Sequence, residues 1–353
     1  MNLRLRVVSV AASASVSVSA LARSVAAALL LAGAAAGASA DTGPAPAREP
    51  VVDTADVERF YAVYDAARGK PDAQALQRGY LDSGTPALRQ FAVARIGTMQ
   101  RLAERIGERP QAYEKARACA QRLPQIRAGV RAAMAELGRI YPEASFPPVT
   151  LAIGRGGTGG TTTPAGVVIG VETICSADWL QPDLTARFVH LIAHEYAHVQ
   201  QPGAAVETPG ASLLYQALIE GGAELVGELS SGEVNAVHLR ERTRGRECEF
   251  EREFAAEQGG SDLSRWFYNG VGDDRRPGDL GYWVGYRIAA AFHARAADKR
   301  RALYELLHAT PENAQDLLRR SGWRPQCGET AASASRAPAS AIDPLEGGLK
   351  RRA

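Results

Sequence analysis

Several residue types and patterns are scarce in this chain of 353 residues, which holds six histidines, four cysteines and three methionines. Charge of either sign is not in excess, with 41 Lys and Arg against 39 Asp and Glu. This balance gives no electrostatic reason to predict a nucleic-acid partner. Beyond the N-terminus, no apolar run approaches the about 20 residues that a membrane-spanning helix requires. The glycine-rich stretch after residue 153 lacks GxxxxGK[ST], which excludes a phosphate-binding loop of that type.

The first 40 residues are predicted to be a signal peptide. They carry three arginines and no acid, an apolar run over 24–37 and a small-x-small tripeptide that ends at Ala40. A membrane anchor is the alternative, but this run is short for a span. We therefore predict cleavage after Ala40, a flexible leader over 41–50 and export to the periplasm or the medium. Cleavage changes the formal charge from +2 to +2 − 3 = −1.

Export changes the interpretation of the four cysteines, Cys119, Cys175, Cys248 and Cys327. An even number of scattered cysteines in an oxidising compartment predicts two disulfides. Their spacings match no zinc-ribbon or CxxC pattern, and the three possible pairings remain open. Four buried, reduced thiols are the alternative.

Hydrophobic periodicity predicts an α+β fold that is mainly helical. Apolar residues recur at spacings of three and four over 51–145, which indicates a helical N-terminal region. VTLAIG and VVIGVETI, joined by a Gly/Thr-rich turn, are typical of two strands and suggest an antiparallel pair. Helical patterning then returns from about 182 to 320, and the residues 146–325 form the second predicted region. The tail over 328–353 has the composition of a disordered segment.

The segment HEYAH carries the clearest chemical signal. Asp183 is a predicted N-cap of one helix through Gln201, so His194 and His198 lie one turn apart on the same face. Two imidazoles so placed can bind one metal ion, and Glu195, about 100° round the helix, can act as a general base without being a ligand. The alternative is an ordinary amphipathic helix with polar residues on one side.

A catalytic zinc site needs a third protein ligand, and Glu220 is the predicted one. It lies on a second helical pattern over 212–232, which can return antiparallel to the first helix and whose Gly221 and Gly222 allow close helix packing. Glu224, one turn on, is predicted to accept a hydrogen bond from a ligating histidine. Solvated surface charges are the alternative for both glutamates. His238 is the competing third ligand. His190 is interpreted as a packing or surface histidine, and Glu228 as a surface residue.

HEYAHVQQ followed by ALIEGGAELVGEL resembles the gluzincin class of zinc peptidases. More narrowly, together with GYWVGYRIAAAF, it resembles a bacterial family of predicted Zn-dependent proteases that contain a domain of unknown function. The resemblance covers about 149–293. It implies a zincin-like domain, in which a small sheet lies above the active-site helix and Gly166–Glu172 forms the edge strand that binds extended peptide.

The resemblance also implies roles for individual residues. Tyr286 and Arg287 are its candidates for stabilising the oxyanion, whereas Tyr282 and Trp283 are expected to be core residues. The function expected from sequence is that of an exported peptidase that uses Zn²⁺ and a peptide or protein substrate. A non-catalytic zinc- or peptide-binding protein on the same fold is the alternative, and a zinc hydrolase of another substrate class is a third.

Overall fold

The computed structural model describes residues 50–177, 179–203, 208–233 and 237–327. The predicted signal peptide, all but the last residue of the predicted leader and the predicted tail lie outside these ranges. The described residues all belong to one compact unit. None of the described helices combines the length and hydropathy needed to cross a bilayer.

The N-terminal region is helical, as its periodicity predicts, and a short strand precedes it. Strand β1 is Val52–Asp53, and the helices are α1 (Ala55–Ala66), α2 (Ala73–Leu76), α3 (Pro86–Phe91), α4 (Met99–Glu108), α5 (Pro110–Ala120) and α6 (Leu123–Ile140). Two π-helical segments interrupt them, Gln77–Asp82 and Ala92–Ile96. The second ends at Gly97, whose φ of 81° is strained for any residue with a side chain.

The sheet has four strands in the order β1-β2-β4-β3, where β2 is Val149–Ala152, β3 is Gly160–Thr163 and β4 is Gly166–Gly170. The predicted antiparallel pairing of the two apolar strands is wrong, because β2 and β4 pair in parallel. The Gly/Thr-rich segment is more than a turn, since it contains β3, which pairs antiparallel to β4. The prediction that Gly166–Glu172 forms the edge strand is also wrong: β4 is internal, β3 is the terminal strand, and helix α7 begins at Val171.

Helices pack against the sheet and make up most of the described chain that follows it. They are α7 (Val171–Ser176), α8 (Leu184–Gln200), α9 (Leu213–Ser231), α10 (Val237–Arg242), α11 (Glu247–Glu257), α12 (Leu280–Arg295), α13 (Lys299–Leu307) and α14 (Ala314–Ser321). Helix α9 packs against α8 and α12, and nearly all of its residues are buried. The α+β, mainly helical fold class is therefore confirmed.

Two disulfides are present, as the sequence predicts. Cys119 pairs with Cys175 and so ties α5 to α7, and Cys248 pairs with Cys327 and so ties α11 to the segment after α14. These bonds select one of the three pairings that the sequence leaves open. Disulfides of this kind are compatible with an exported protein.

Candidate metal centre

Helix α8 places the two histidines of HEYAH on one face. Asp183 caps it, since its carboxylate accepts a hydrogen bond from the backbone N–H of Ala186 at 2.7 Å. His194 and His198 are buried, and their Nε2 atoms lie 3.0 Å apart. Two unprotonated imidazole nitrogens at this distance repel each other unless a proton or a cation lies between them.

Helix α9 runs antiparallel to α8 and brings Glu220 to the same point. Its Oε2 lies 3.5 Å from Nε2 of His194 and 3.3 Å from Nε2 of His198. Ser212 caps α9 through the N–H of Tyr215, and Gly232 ends it in the left-handed conformation. The helix limits that the sequence predicts are therefore reproduced to within one residue.

The three donor atoms fit a tetrahedral metal ion. Two nitrogens and one oxygen form a triangle with sides of 3.0, 3.3 and 3.5 Å. A tetrahedral zinc ion with bonds of about 2.0–2.1 Å holds its ligand atoms about 3.3 Å apart. His194, His198 and Glu220 are thus a buried group that could hold a metal ion.

Both imidazoles turn Nδ1 towards a side-chain oxygen and Nε2 towards the shared point. Nδ1 of His198 lies 2.7 Å from Oε1 of Gln201, and Nδ1 of His194 lies 3.1 Å from Oε1 of Glu224. An oxygen that accepts the Nδ1–H leaves the lone pair on Nε2, which is the atom that faces the shared point. Glu224 therefore occupies the position that the sequence predicts for it.

Gln201, Gln216 and Tyr268 complete the surroundings of the centre and were missed by sequence reasoning. The Gln201 amide donates to the carbonyl of Ile219 at 2.9 Å, which turns its oxygen towards His198. Gln216 and Tyr268 each donate to Oε1 of Glu220 at 3.2 Å, which leaves Oε2 for the histidines.

Local spacing could have revealed the two glutamines but not the tyrosine. Gln201 follows His198 by three positions, and Gln216 precedes Glu220 by four, so each is one helical turn from the residue it contacts. Tyr268 is 48 positions from Glu220. Its φ of 59° places it in the left-handed region, which is uncommon for a residue with a large side chain.

Glu195 faces the cavity and is not one of the three converging donors. Its Oε2 accepts a hydrogen bond from the hydroxyl of Thr162 at 3.2 Å. Strand β3 approaches so closely that a Cβ on Gly160 would lie 2.5 Å from Oε1 of Glu195. Strand β3 and helix α8 therefore hold this carboxylate between them.

A cavity of about 1100 Å³ opens above the centre. Its floor carries the two histidines, Glu195 and Glu220, and β3 forms one wall. Its lining also includes Leu263, Tyr268, Tyr282 and Thr208. The candidate metal centre therefore lies against an open cavity.

Burial and charge act against each other at the centre. Burial disfavours the charged forms of His194 and His198, but the neighbouring carboxylates outweigh it and raise the pKa of both imidazoles. Burial also opposes ionisation of Glu220 and Glu224, yet the histidines hold the pKa of both carboxyls well below its ordinary value. Burial raises the pKa of Glu195, and the two histidines counter it only in part.

His190 is buried beside Glu224 and is a packing residue with a polar contact, not a surface residue. Its Nε2 lies 3.5 Å from Oε2 of Glu224, and its Nδ1 lies 3.2 Å from Oγ of Ser231. Gly227 provides the space, because a Cβ there would lie 3.0 Å from the imidazole ring. A row of contacts therefore runs from Ser231 through His190 and Glu224 to His194.

The other candidate residues lie elsewhere. The hydroxyl of Tyr286 donates to Glu228, and the ring stacks on Trp283, so Tyr286 is not among the described residues that line the cavity. Glu228 is half-buried by this contact. Arg287 pairs with the buried Glu251 at 2.6 Å.

Tyr282 lies closer to the centre than its expected core role implies, whereas His238, the competing third ligand, lies away from the centre. Tyr282 is not only a core residue, because it lines the cavity with its ring centroid 6.4 Å from that of His194. His238 contacts Trp179 edge-on, with ring centroids 4.8 Å apart, and burial lowers its pKa to about 4. It does not belong to the group of converging ligand atoms.

Comparison with protein-family models, with curated proteins and with solved structures finds no match to this chain. The geometry of the centre and its cavity therefore carries the functional argument alone.

Proposed function

We propose that this protein is an exported zinc-dependent peptidase of the gluzincin type. The observation that carries the proposal is the triangle of donor atoms from His194, His198 and Glu220 at the floor of a cavity that also holds Glu195. Three protein ligands with space for water are typical of catalytic zinc sites, whereas structural sites take four. The zincin-like architecture is part of the same proposal.

Zinc in this centre would lower the pKa of water and polarise the carbonyl of the scissile peptide. Residues of the chain would transfer the proton and hold the ligands in position. Glu195 accepts the proton of the attacking water and passes it to the leaving amine. Thr162 holds the Glu195 carboxylate in place. Gln201 and Glu224 keep the imidazoles oriented, and Gln216 and Tyr268 orient Glu220.

The open edge of β3 supports a peptide as substrate. Among the described strands β3 is paired on one side only, and it forms a wall of the cavity beside Glu195. An extended peptide can add to such an edge through main-chain hydrogen bonds. We therefore place the substrate chain along β3, the role that the resemblance gives to Gly166–Glu172. The oxyanion role that the resemblance gives to Tyr286 passes in this proposal to the hydroxyl of Tyr282, which lines the cavity.

A non-catalytic zinc- or peptide-binding protein is the second candidate. It uses the same ligands and the same strand edge. The buried carboxylate of Glu195 favours the enzyme, because a binding protein has no use for a base beside the metal.

Metal content and hydrolysis test the proposal together. The protein from Asp41, assayed by plasma mass spectrometry, is expected to hold about one zinc per chain. Glu220→Ala should lose the metal. His238→Ala is the matched control and should keep it, because His238 packs on Trp179 away from the centre.

Glu195→Gln separates the enzyme from the binding protein. This variant should retain zinc and lose peptide hydrolysis, since the amide cannot accept a proton. Hydrolysis that persists in Glu195→Gln would remove Glu195 from the role of base. A folded protein that takes up no zinc would remove the metal centre and the peptidase with it.

A further inference from the structure

Arg95 lies on the rim of the cavity and has no part in the proposed mechanism. It is exposed on the π-helical segment Ala92–Ile96 and lines the same cavity as His194 and Glu195. Among the described residues that line this cavity, it is the only basic side chain apart from the two histidines of the centre. Segments with π-helical hydrogen bonding occur frequently at functional sites.

The guanidinium of Arg95 forms no ion pair with any carboxylate in the described part of the chain. Its side chain donates to a neutral group, the hydroxyl of Thr161, at 3.3 Å. Other arginines of this protein lie against carboxylates: Arg246 against Glu249 at 2.7 Å and Arg301 against Glu305 at 2.9 Å. A cation without a counter-charge at the mouth of a cavity can pair with an anion that comes from outside.

The hydrogen bonding of β3 determines which backbone groups face its open edge. The carbonyl of Gly159 accepts from the N–H of Gly170, opposite to it, at 2.9 Å. Hydrogen-bonded pairs alternate along an antiparallel ladder, so Thr161 also turns its backbone groups towards β4. The backbone groups of Gly160 and Thr162 therefore point to the open edge, where a substrate chain pairs.

The side chains of β3 alternate between two faces. Thr162 points to Glu195, whereas Thr161 points to Arg95. In a chain added to this edge, the residue opposite Thr161 lies at a non-hydrogen-bonded position with a Cα separation of about 4.5 Å if the pairing is antiparallel. Its side chain emerges on the face of Thr161 and thus beside Arg95.

We propose that Arg95 selects substrates with an aspartate or glutamate at the residue that pairs with Thr161. This assignment rests on the proposed peptidase function and on substrate pairing with β3. The acidic residue lies within about two positions of the cut bond, because Thr161 is a strand neighbour of the residues beside Glu195. The substrate class is then a peptide with an acidic residue close to the cleavage site.

The test uses the zinc-loaded protein and internally quenched peptides. One set varies a single position at a time among Glu, Gln and Lys, and mass spectrometry locates the cut bond. At one position the wild type should cleave the Glu peptide about 5-fold more efficiently, in kcat/KM, than the Gln peptide, as an exposed ion pair allows. Arg95→Ala should remove this ratio, and Arg95→Glu should invert it in favour of Lys.

Arg101→Ala is the matched control, because Arg101 is exposed on α4, lies six positions after Arg95 in the sequence and does not line the cavity. It should leave the ratio unchanged. If the wild type cleaves Glu and Gln peptides equally at every position, the role of Arg95 is overturned while the peptidase stands. If the zinc-loaded wild type cleaves no peptide, the peptidase itself is overturned and the assignment of Arg95 with it.

Discussion

At the scale of single residues, the centre depends on groups that never reach the donor triangle. Each ligand has a polar partner on its far side: Gln201 for His198, Glu224 for His194, and Gln216 with Tyr268 for Glu220. These partners hold the rings and the carboxylate in the orientation that binding requires. Loss of one outer partner of this kind typically lowers metal affinity or activity about 10- to 100-fold.

His190 extends this layer by one residue. It lies between Ser231 and Glu224, and Glu224 in turn contacts His194. His190→Leu keeps a similar volume but removes the polar contact, so Glu224 is held less firmly. We expect zinc affinity to fall about 10-fold, at the lower end of the effect of outer partners. Competition with a chromogenic chelator measures this directly.

Two further variants make the measurement specific. His190→Gln restores a donor within reach of Glu224 and should recover most of the affinity. His308→Leu is the control, because His308 lies at the end of α13 and stacks on Tyr304. Unchanged affinity in a folded His190→Leu protein would show that Glu224 holds His194 without help from His190.

At the scale of elements, two helices meet at glycines. A Cβ on Gly221 would lie 2.0 Å from the carbonyl carbon of Gly285, and a Cβ on Gly285 would lie 2.0 Å from the carbonyl oxygen of Ala217. The backbones of α9 and α12 therefore touch directly. The sequence prediction of close helix packing is confirmed for Gly221. At Gly222 a Cβ would meet nothing nearer than 3.8 Å.

Adjacent glycines in one helix thus give opposite predictions. Gly221→Ala should lower the free energy of unfolding by about 2–3 kcal/mol, because the added methyl group overpacks a backbone contact. Gly222→Ala should raise it by about 0.5–1 kcal/mol, because alanine is the better helix former. Urea denaturation followed by circular dichroism measures both. Similar effects at the two positions would contradict the close crossing of α9 and α12.

The helices of the centre were predictable because their signals are local. Asp183 and Ser212 cap α8 and α9, and the i, i+4 spacing of the histidines needs no knowledge of the remainder of the fold. The strand pairing of the sheet was not predictable, because it depends on residues that are far apart in the sequence. Val149 pairs with Val167 across the chain, and β3 lies in a Gly/Thr-rich stretch that has little hydrophobic pattern. Because β3 has so little local signal, Gly166–Glu172 was wrongly predicted to be the edge strand.

At the scale of the whole molecule, the N-terminal helices support the wall of the cavity. Tyr80 on the first π-helical segment donates to the carbonyl of Ile153 at 2.8 Å, and Tyr113 on α5 donates to the carbonyl of Gly154 at 3.1 Å. The buried carboxylate of Glu172 accepts from the N–H groups of Gly154 and Gly156, each at 2.8 Å. These contacts hold the segment that leads into β3.

The disulfide between Cys119 and Cys175 also supports this sheet, because it joins α5 to α7, the helix that directly follows β4. It spans 56 positions and the second bridge spans 79. By chain entropy, closing a loop of this length stabilises the folded state by about 4 kcal/mol. Replacing Cys119 and Cys175 together by alanine should therefore lower the free energy of unfolding by about 4 kcal/mol, measured by urea denaturation without reductant.

The bridge between Cys248 and Cys327 provides the comparison. It fastens the C-terminal segment, where the N–H of Gln326 donates to Glu251 at 2.7 Å, and it lies outside the described lining of the cavity. Its removal should lower the free energy of unfolding by a similar amount, because the two loops differ little in closure entropy. Peptide hydrolysis, assayed below the unfolding transition, should then distinguish the two variants. Loss of the Cys119–Cys175 bridge should reduce kcat/KM, because β3 is less firmly held. Loss of the Cys248–Cys327 bridge should leave kcat/KM unchanged. Equal activity in both would show that the N-terminal helices hold β3 without the disulfide.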